Sequence, residues 1–130
     1  MTRTFLLLSA ATAVMTAMPA LGHHSEAAEF DQNTSVKLTG TIVKVEWLNP
    51  HVWFYVDVHE QGKVTTWGFS AAPPGALMRR GITKDALVIG AVVNVEGSRA
   101  RDGSNNASGR SVTFADGKNV FTATNEGAAR

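Results

Sequence analysis

Cysteine is absent from this 130-residue chain, which excludes disulfides, thiolate metal sites and a lipid anchor on cysteine. An excess of charge of one sign is also missing, since 12 Lys and Arg face 11 Asp and Glu. A protein built to bind phosphate backbones would show a basic excess, so nucleic acid is not expected as a partner. No G-x-S-x-G elbow marks a serine hydrolase, and no glycine-rich segment runs into Lys-Ser or Lys-Thr to cradle a phosphate. No catalytic constellation is visible, and the chain is read as a non-enzyme.

The one long apolar run, Phe5 to Ala17, is shorter than the roughly 20 residues a spanning helix needs. Arg3 precedes it, Pro19 breaks it, and Ala20-Leu21-Gly22 supplies the small residues that a signal peptidase inspects. Residues 1–22 therefore read as a signal peptide cleaved after Gly22, with cleavage after Ala20 or Leu21 as alternatives. The expectation is a periplasmic or secreted protein with no membrane anchor after cleavage. Removing residues 1–22 leaves 108 residues, enough for one small domain, and losing Arg3 balances basic and acidic side chains at 11 each.

Residues 23–35 are polar and read as an N-terminal arm. The domain is expected over 36–124 and a C-terminal tail over 125–130. Val36, Leu38 and Ile42 share one strand phase, whereas Val43, Val45 and Trp47 share the other. A strand that bends at Gly40, or bulges near it, would switch faces in this way and serve both sides of a small barrel. HVWFYVDVH at 51–59 alternates, Gln61-Gly62 turns, and KVTTWGFS at 63–70 returns as a hairpin partner. Counting outward from the turn places Glu60 opposite Lys63, Val56 opposite Trp67, Tyr55 opposite Gly68 and Phe54 opposite Phe69.

Pro73 and Pro74 suit a helix start and Gly81 its stop, and residues 83–87 suit one further helical turn. A fourth strand is predicted over 88–98, a Gly/Ser/Asn loop over 99–109, a fifth strand over 110–115 and a short return at 119–122. Three meander strands, a helix and two more strands give the order of an OB-like five-stranded small barrel, all-β apart from one short helix. A small open β-sandwich is the alternative.

His23-His24-Ser25 at the mature start, Leu38-Thr39-Gly40, and Trp47-Leu48-Asn49-Pro50-His51 together resemble a family of small exported bacterial proteins of unknown function. Val93-Asn94-Val95-Glu96-Gly97-Ser98 and Asp102-Gly103-Ser104-Asn105 fit the same pattern. The resemblance implies an exported β domain and transfers no catalytic residues.

Four histidines carry most of the remaining chemistry: His23, His24, His51 and His59. In one continuous strand His51 and His59 would stand about 26 Å apart at roughly 3.3 Å per residue, too far to share a metal. A one-chain site must therefore pass through His23 or His24. Cleavage after Gly22 would place the α-amine of His23 beside its own imidazole, and nitrogen ligands of this kind suit Cu(II). His24, His51 or Glu26 would complete the shell. The alternative is a solvated tail with adventitious affinity.

A second candidate is a face. His51, Trp53, Tyr55 and Asp57 share the outward phase, where aromatic rings beside polar groups would form a ligand platform, and this phase lies on the ligand side of OB barrels. Alternatively, the arm or the helix covers Trp53 and Tyr55. Folding Ala27 to Phe30 over that face would bring His23 or His24 toward His51. The sequence therefore predicts a periplasmic binding or accessory domain for a small ligand or metal ion, possible Cu(II) included. The alternative is an interaction module that docks on a larger envelope complex.

Overall fold

The long first strand explains the architecture. In the computed structural model, which describes residues 25–122, a single helical turn, α1 (Glu26–Glu29), leads directly into β1 (Phe30–Glu46). β1 pairs with two different strands. Its first part lies antiparallel to β4 (Val92–Ala100), and its second part lies antiparallel to β2 (Trp53–Glu60). A bulge between Ile42 and Lys44 makes the handover possible. Ile42 is fully buried opposite Val56, while Val43 is the extra residue and faces solvent. After the bulge, Val45 stands opposite Phe54 and packs on the core. The phase switch is thus a bulge at Val43. Gly40 serves the close approach of the strands instead: a Cβ there would stand 2.3 Å from the Asp57 carbonyl oxygen and 2.6 Å from Val56 Cγ1.

The hairpin of β2 and β3 (Lys63–Ser70) has the register expected from its two-residue turn. Gln61 and Gly62 both take positive φ, 50° and 75°, which matches the right-handed twist of the flanking strands. After β3 comes α2 (Pro74–Arg79), which starts on a proline and gives way to Gly81 at φ 76°. Its Leu77, 1% exposed, enters the core. A single 3-10 turn, Lys84–Ala86, leads on to β4.

β5 (Asn106–Phe114) closes the ring. It lies antiparallel to β4 and parallel to β3, with Gly68, Phe69 and Ser70 opposite Asn106, Ala107 and Ser108. β6 (Asn119–Thr122) extends the sheet beyond β5. The circuit β1-β2-β3-β5-β4-β1 is an OB-like barrel, as the strand order predicts. Three boundaries differ from the sequence reading. β4 runs Val92–Ala100 rather than 88–98, because residues 88–91 form a turn with Gly90 at positive φ. The segment 106–109 is strand rather than loop, because closure needs small residues where β5 slides between β3 and β4. Gly97 and Gly109 mark the tight fit, since a Cβ on them would stand 2.3 Å from Ser108 O and 3.2 Å from Ser70 O. β1 also begins at Phe30 rather than Val36, and Phe30 pairs with Ala100 and is buried.

The core is the inward phase of every strand. Phe54 and Phe69, both fully buried cross-strand partners, stack with ring centroids 5.3 Å apart. Ile42, Val56, Val93, Val95 and Val112 fill the remaining space. Among the described residues, no helix is long and apolar enough to cross a membrane.

Candidate functional site

Strand β2 divides its side chains between core and face. Phe54, Val56 and Val58 are buried, while Trp53, Tyr55 and Asp57 are half-buried on the outside. Tyr55 covers the bare backbone of its partner Gly68, where a Cβ would meet Tyr55 Cε1 at 3.3 Å and Trp53 Cζ3 at 3.5 Å. The two rings thus lie side by side over a floor of small residues.

Trp53, Tyr55 and Asp57 lie on the outer face of β2, but the polar groups of Tyr55 and Asp57 have different partners. Asp57 accepts a hydrogen bond from Thr66 Oγ1 at 2.6 Å. Tyr55 donates from its hydroxyl to Glu46 Oε2 at 3.0 Å, and Lys44 Nζ stands 2.6 Å from Glu46 Oε1 and 5.2 Å from the Tyr55 ring centroid. Burial, followed by the bond to Glu46, raises the Tyr55 hydroxyl above its usual range. The Glu46 carboxyl is held below its usual range, first by Lys44 and then by Tyr55. Both carboxylates on this side have strand-surface partners, which leaves them ordinary structural roles.

His51 and Trp53 are the pair that meet at a cavity. A cleft of about 560 Å³ opens beside them, within the range of small-ligand sites. His51 Nδ1 lies 3.0 Å from the carbonyl oxygen of Ala71. A carbonyl only accepts, so Nδ1 carries the proton, and in the neutral ring Nε2 keeps its lone pair. Ala71 is fixed by its own bond, from its amide to Val52 O at 2.8 Å, so the imidazole is anchored to the β2–β3 hairpin.

The other walls of the cleft come from residues distant in sequence. Glu26 and Glu29, the two ends of α1, line one wall, with buried Phe30 beside them. Arg80 and Phe121 line another, and the guanidinium lies over the ring at 5.9 Å. Arg80 also donates to Thr122 O, and Ser108 donates to Glu26 Oε1. Arg101 holds α1 in place, donating from Nε to Ala27 O at 2.9 Å and from its amide to Glu29 O at 2.9 Å. A second opening of about 510 Å³ lies between Trp53 and the β4–β5 loop, and it shares Glu29 and Phe30 with the first. The start of the domain therefore stands beside Trp53, between the two openings. Phe121 escaped the sequence reading because no local pattern links a sixth strand to the end of α2.

His23 and His24 lie outside the described residues. Among the described residues, no three His, Asp or Glu side chains stand together as a metal site. His59 is exposed near the hairpin turn, paired with Val64 and remote from His51 along β2.

The sequence model of a family of unknown function (DUF6152) matches residues 11–110. No curated protein sequence matches the chain. Among solved structures, the chain is similar to the mitochondrial single-stranded DNA binding protein Rim1 of S. cerevisiae. In one crystal form the identity is 12%, with 66% of this chain and 95% of that chain covered, and the TM-score is 0.50. In a second form the values are 13%, 66%, 94% and 0.49. TiaS, in a complex with a tRNA and ATP, is 22% identical over 62% of this chain and 18% of that chain, with a TM-score of 0.46. At these identities the likeness is one of fold. It corrects the expectation that excluded nucleic acid as a partner, because the same barrel occurs in a protein named for binding single-stranded DNA. The exclusion failed for a physical reason: net charge averages over the whole surface and says little about one face.

Proposed function

The chain belongs to this family of unknown function (DUF6152), and from that premise we propose that it is an exported, periplasmic binding domain. Its ligand site is the cleft beside His51 and Trp53, and its sharpest form is Cu(II) held by His23 and His24 of the mature start together with His51. The observation that carries this reading is the bond from His51 Nδ1 to Ala71 O. Metal-bound histidines characteristically donate the other ring N–H to a carbonyl or carboxylate, which fixes the ring and frees the ligating nitrogen.

Chain geometry supports the same site. Glu26 lines the cleft, and His24 is two residues from it in sequence. The two nitrogens of a terminal histidine plus one imidazole make a donor set that suits Cu(II).

The test is intact mass of the protein recovered from the periplasm, followed by Cu(II) titration. Cleavage after Gly22, one Cu(II) per chain, and loss of that binding both in His51→Ala and in a chain carrying one extra N-terminal residue are expected. Equal affinity and stoichiometry in the extended chain would overturn the terminal chelate. A chain recovered metal-free with a stable envelope partner would favour the docking module instead.

A further inference from the structure

The cleft beside His51 and Trp53 holds opposite charges that do not pair with each other. Glu26, Glu29 and Arg80 all line it, yet among the described residues no ion pair joins Arg80 to either carboxylate. The bonds they do make leave capacity unused. Glu26 accepts from Ser108 through one carboxyl oxygen, and Arg80 donates from one terminal nitrogen to Thr122 O while lying over Phe121. A guanidinium carries five N–H donors and a carboxylate has about four acceptor sites, so each retains groups for a ligand.

Apart from these charges, His51 and the two serines Ser70 and Ser108, the lining is apolar or aromatic. Trp53, Pro50, Pro73 and Phe121 supply the surface, with the small residues Ala71 and Gly109 also lining the cleft. An ammonium group suits the Glu26 and Glu29 side, where two carboxylates line the cleft. A carboxylate suits Arg80, where a planar fork can bind it through two bonds.

We propose that this cleft binds a small zwitterion of the amino-acid class. Its ammonium faces the carboxylates of α1, its carboxylate faces Arg80, and its apolar side chain lies against Trp53. This deepens the reading of the cleft as the ligand site and rests on it. A cleft of about 560 Å³ accommodates a free amino acid or a dipeptide but not a folded partner.

The experiment is calorimetric titration of the mature protein, kept metal-free with chelator so that copper complexes of the ligand cannot contribute. The probes are phenylalanine, its methyl ester and its N-acetyl derivative, which carry both charges, only the ammonium and only the carboxylate. Saturable binding of phenylalanine, weakened at least tenfold in each blocked form, is expected. Arg80→Gln should remove the preference for the free amino acid over the ester, and Glu29→Gln the preference over the N-acetyl form. Either blocked probe binding as tightly as phenylalanine overturns the zwitterion assignment while leaving the cleft as the site. Phenylalanine binding that is unchanged in Trp53→Ala overturns the cleft itself, and no binding by any probe overturns the assignment for this ligand class.

Discussion

Tyr55 and Gly68 stand directly opposite each other on β2 and β3, and the tyrosine ring roofs the glycine, with Cε1 3.3 Å from where a Cβ would be. The nearest obstacle to that Cβ is Asn106 Oδ1 at 2.5 Å, the movable end of a side chain. Gly40 faces a different obstacle, backbone oxygen of Asp57 at 2.3 Å.

The two glycines should therefore differ sharply when replaced by alanine. Gly68→Ala needs a rotation of Asn106 and a shift of a few tenths of an ångström in the Tyr55 ring, and is expected to cost about 1 kcal/mol, whereas Gly40→Ala must push β1 away from β2. The second loss should lie toward the upper end of the roughly 1–3 kcal/mol seen for overpacked sites. Urea unfolding of both variants checks the order. Equal losses would mean that Gly40 does not hold the close approach of the two strands.

Tyr55 is the one tyrosine in the chain, so tyrosinate absorbance reports on it alone. Its ionisation is expected above the ordinary value of 10.0, raised first by burial and then by the bond to Glu46. Glu46→Gln should bring the midpoint down part of the way and leave the share due to burial. The linked effect on stability has a definite sign. A raised folded-state value favours the protonated hydroxyl, so its contribution is complete below pH 10.0 and fades as pH climbs through the folded-state value. Glu46 works in the opposite sense. Its lowered value makes a contribution that is present above about pH 4.5 and lost as pH falls through the folded-state value. Denaturation midpoints across both pH ranges, with Tyr55→Phe and Glu46→Gln as controls, test the two signs.

Much of the barrel was legible because its signals are local. Alternation in 51–59 and the turn at Gln61-Gly62 set the hairpin register, and Pro74 and Gly81 bracket the helix. The phase switch between Leu38 and Val45 disclosed a strand serving two neighbours, although only the structure assigns the extra residue to Val43. β5 was cut short because Ser, Asn and Gly read as loop by propensity. At Ala107, Ser108 and Gly109 smallness is instead what lets β5 close against β3 and β4. Half of the cleft was legible in the same way. His51 and Trp53 announce themselves on an alternating strand, whereas the placement of Arg80 and Phe121 beside them is a product of closure that no spacing encodes.

Arg101 is expected to control how firmly the start of the domain lies beside Trp53. It binds α1 through its side chain at Ala27 O and through its amide at Glu29 O, and none of the α1 residues is buried. Arg101→Ala removes the side-chain bond and keeps the amide bond. Hydrogen exchange at the Ala28 amide should then speed up by about tenfold, as expected for losing roughly 1.4 kcal/mol of local protection. Exchange at Val93 and Val95 in the core should not change. If Ala28 kept its protection, Ser108 and the backbone alone would be holding the segment.

The anchored imidazole leads to the last expectation. His51 is exposed, so its bond to Ala71 is worth about 0.5–1.5 kcal/mol at most, and His51→Ala should lower stability only within that range. Its effect on Cu(II) binding by the mature protein should be far larger, a loss of about tenfold or more, because an imidazole ligand disappears. Asparagine at this position separates the two roles, since its side-chain amide can still donate to Ala71 O without offering an imidazole nitrogen. His51→Asn is expected to keep the thermal midpoint and lose the copper. Calorimetry and metal titration on the same sample decide it: retained copper affinity in both variants would place the metal elsewhere and leave His51 a purely structural tie between the segment before β2 and the segment after β3.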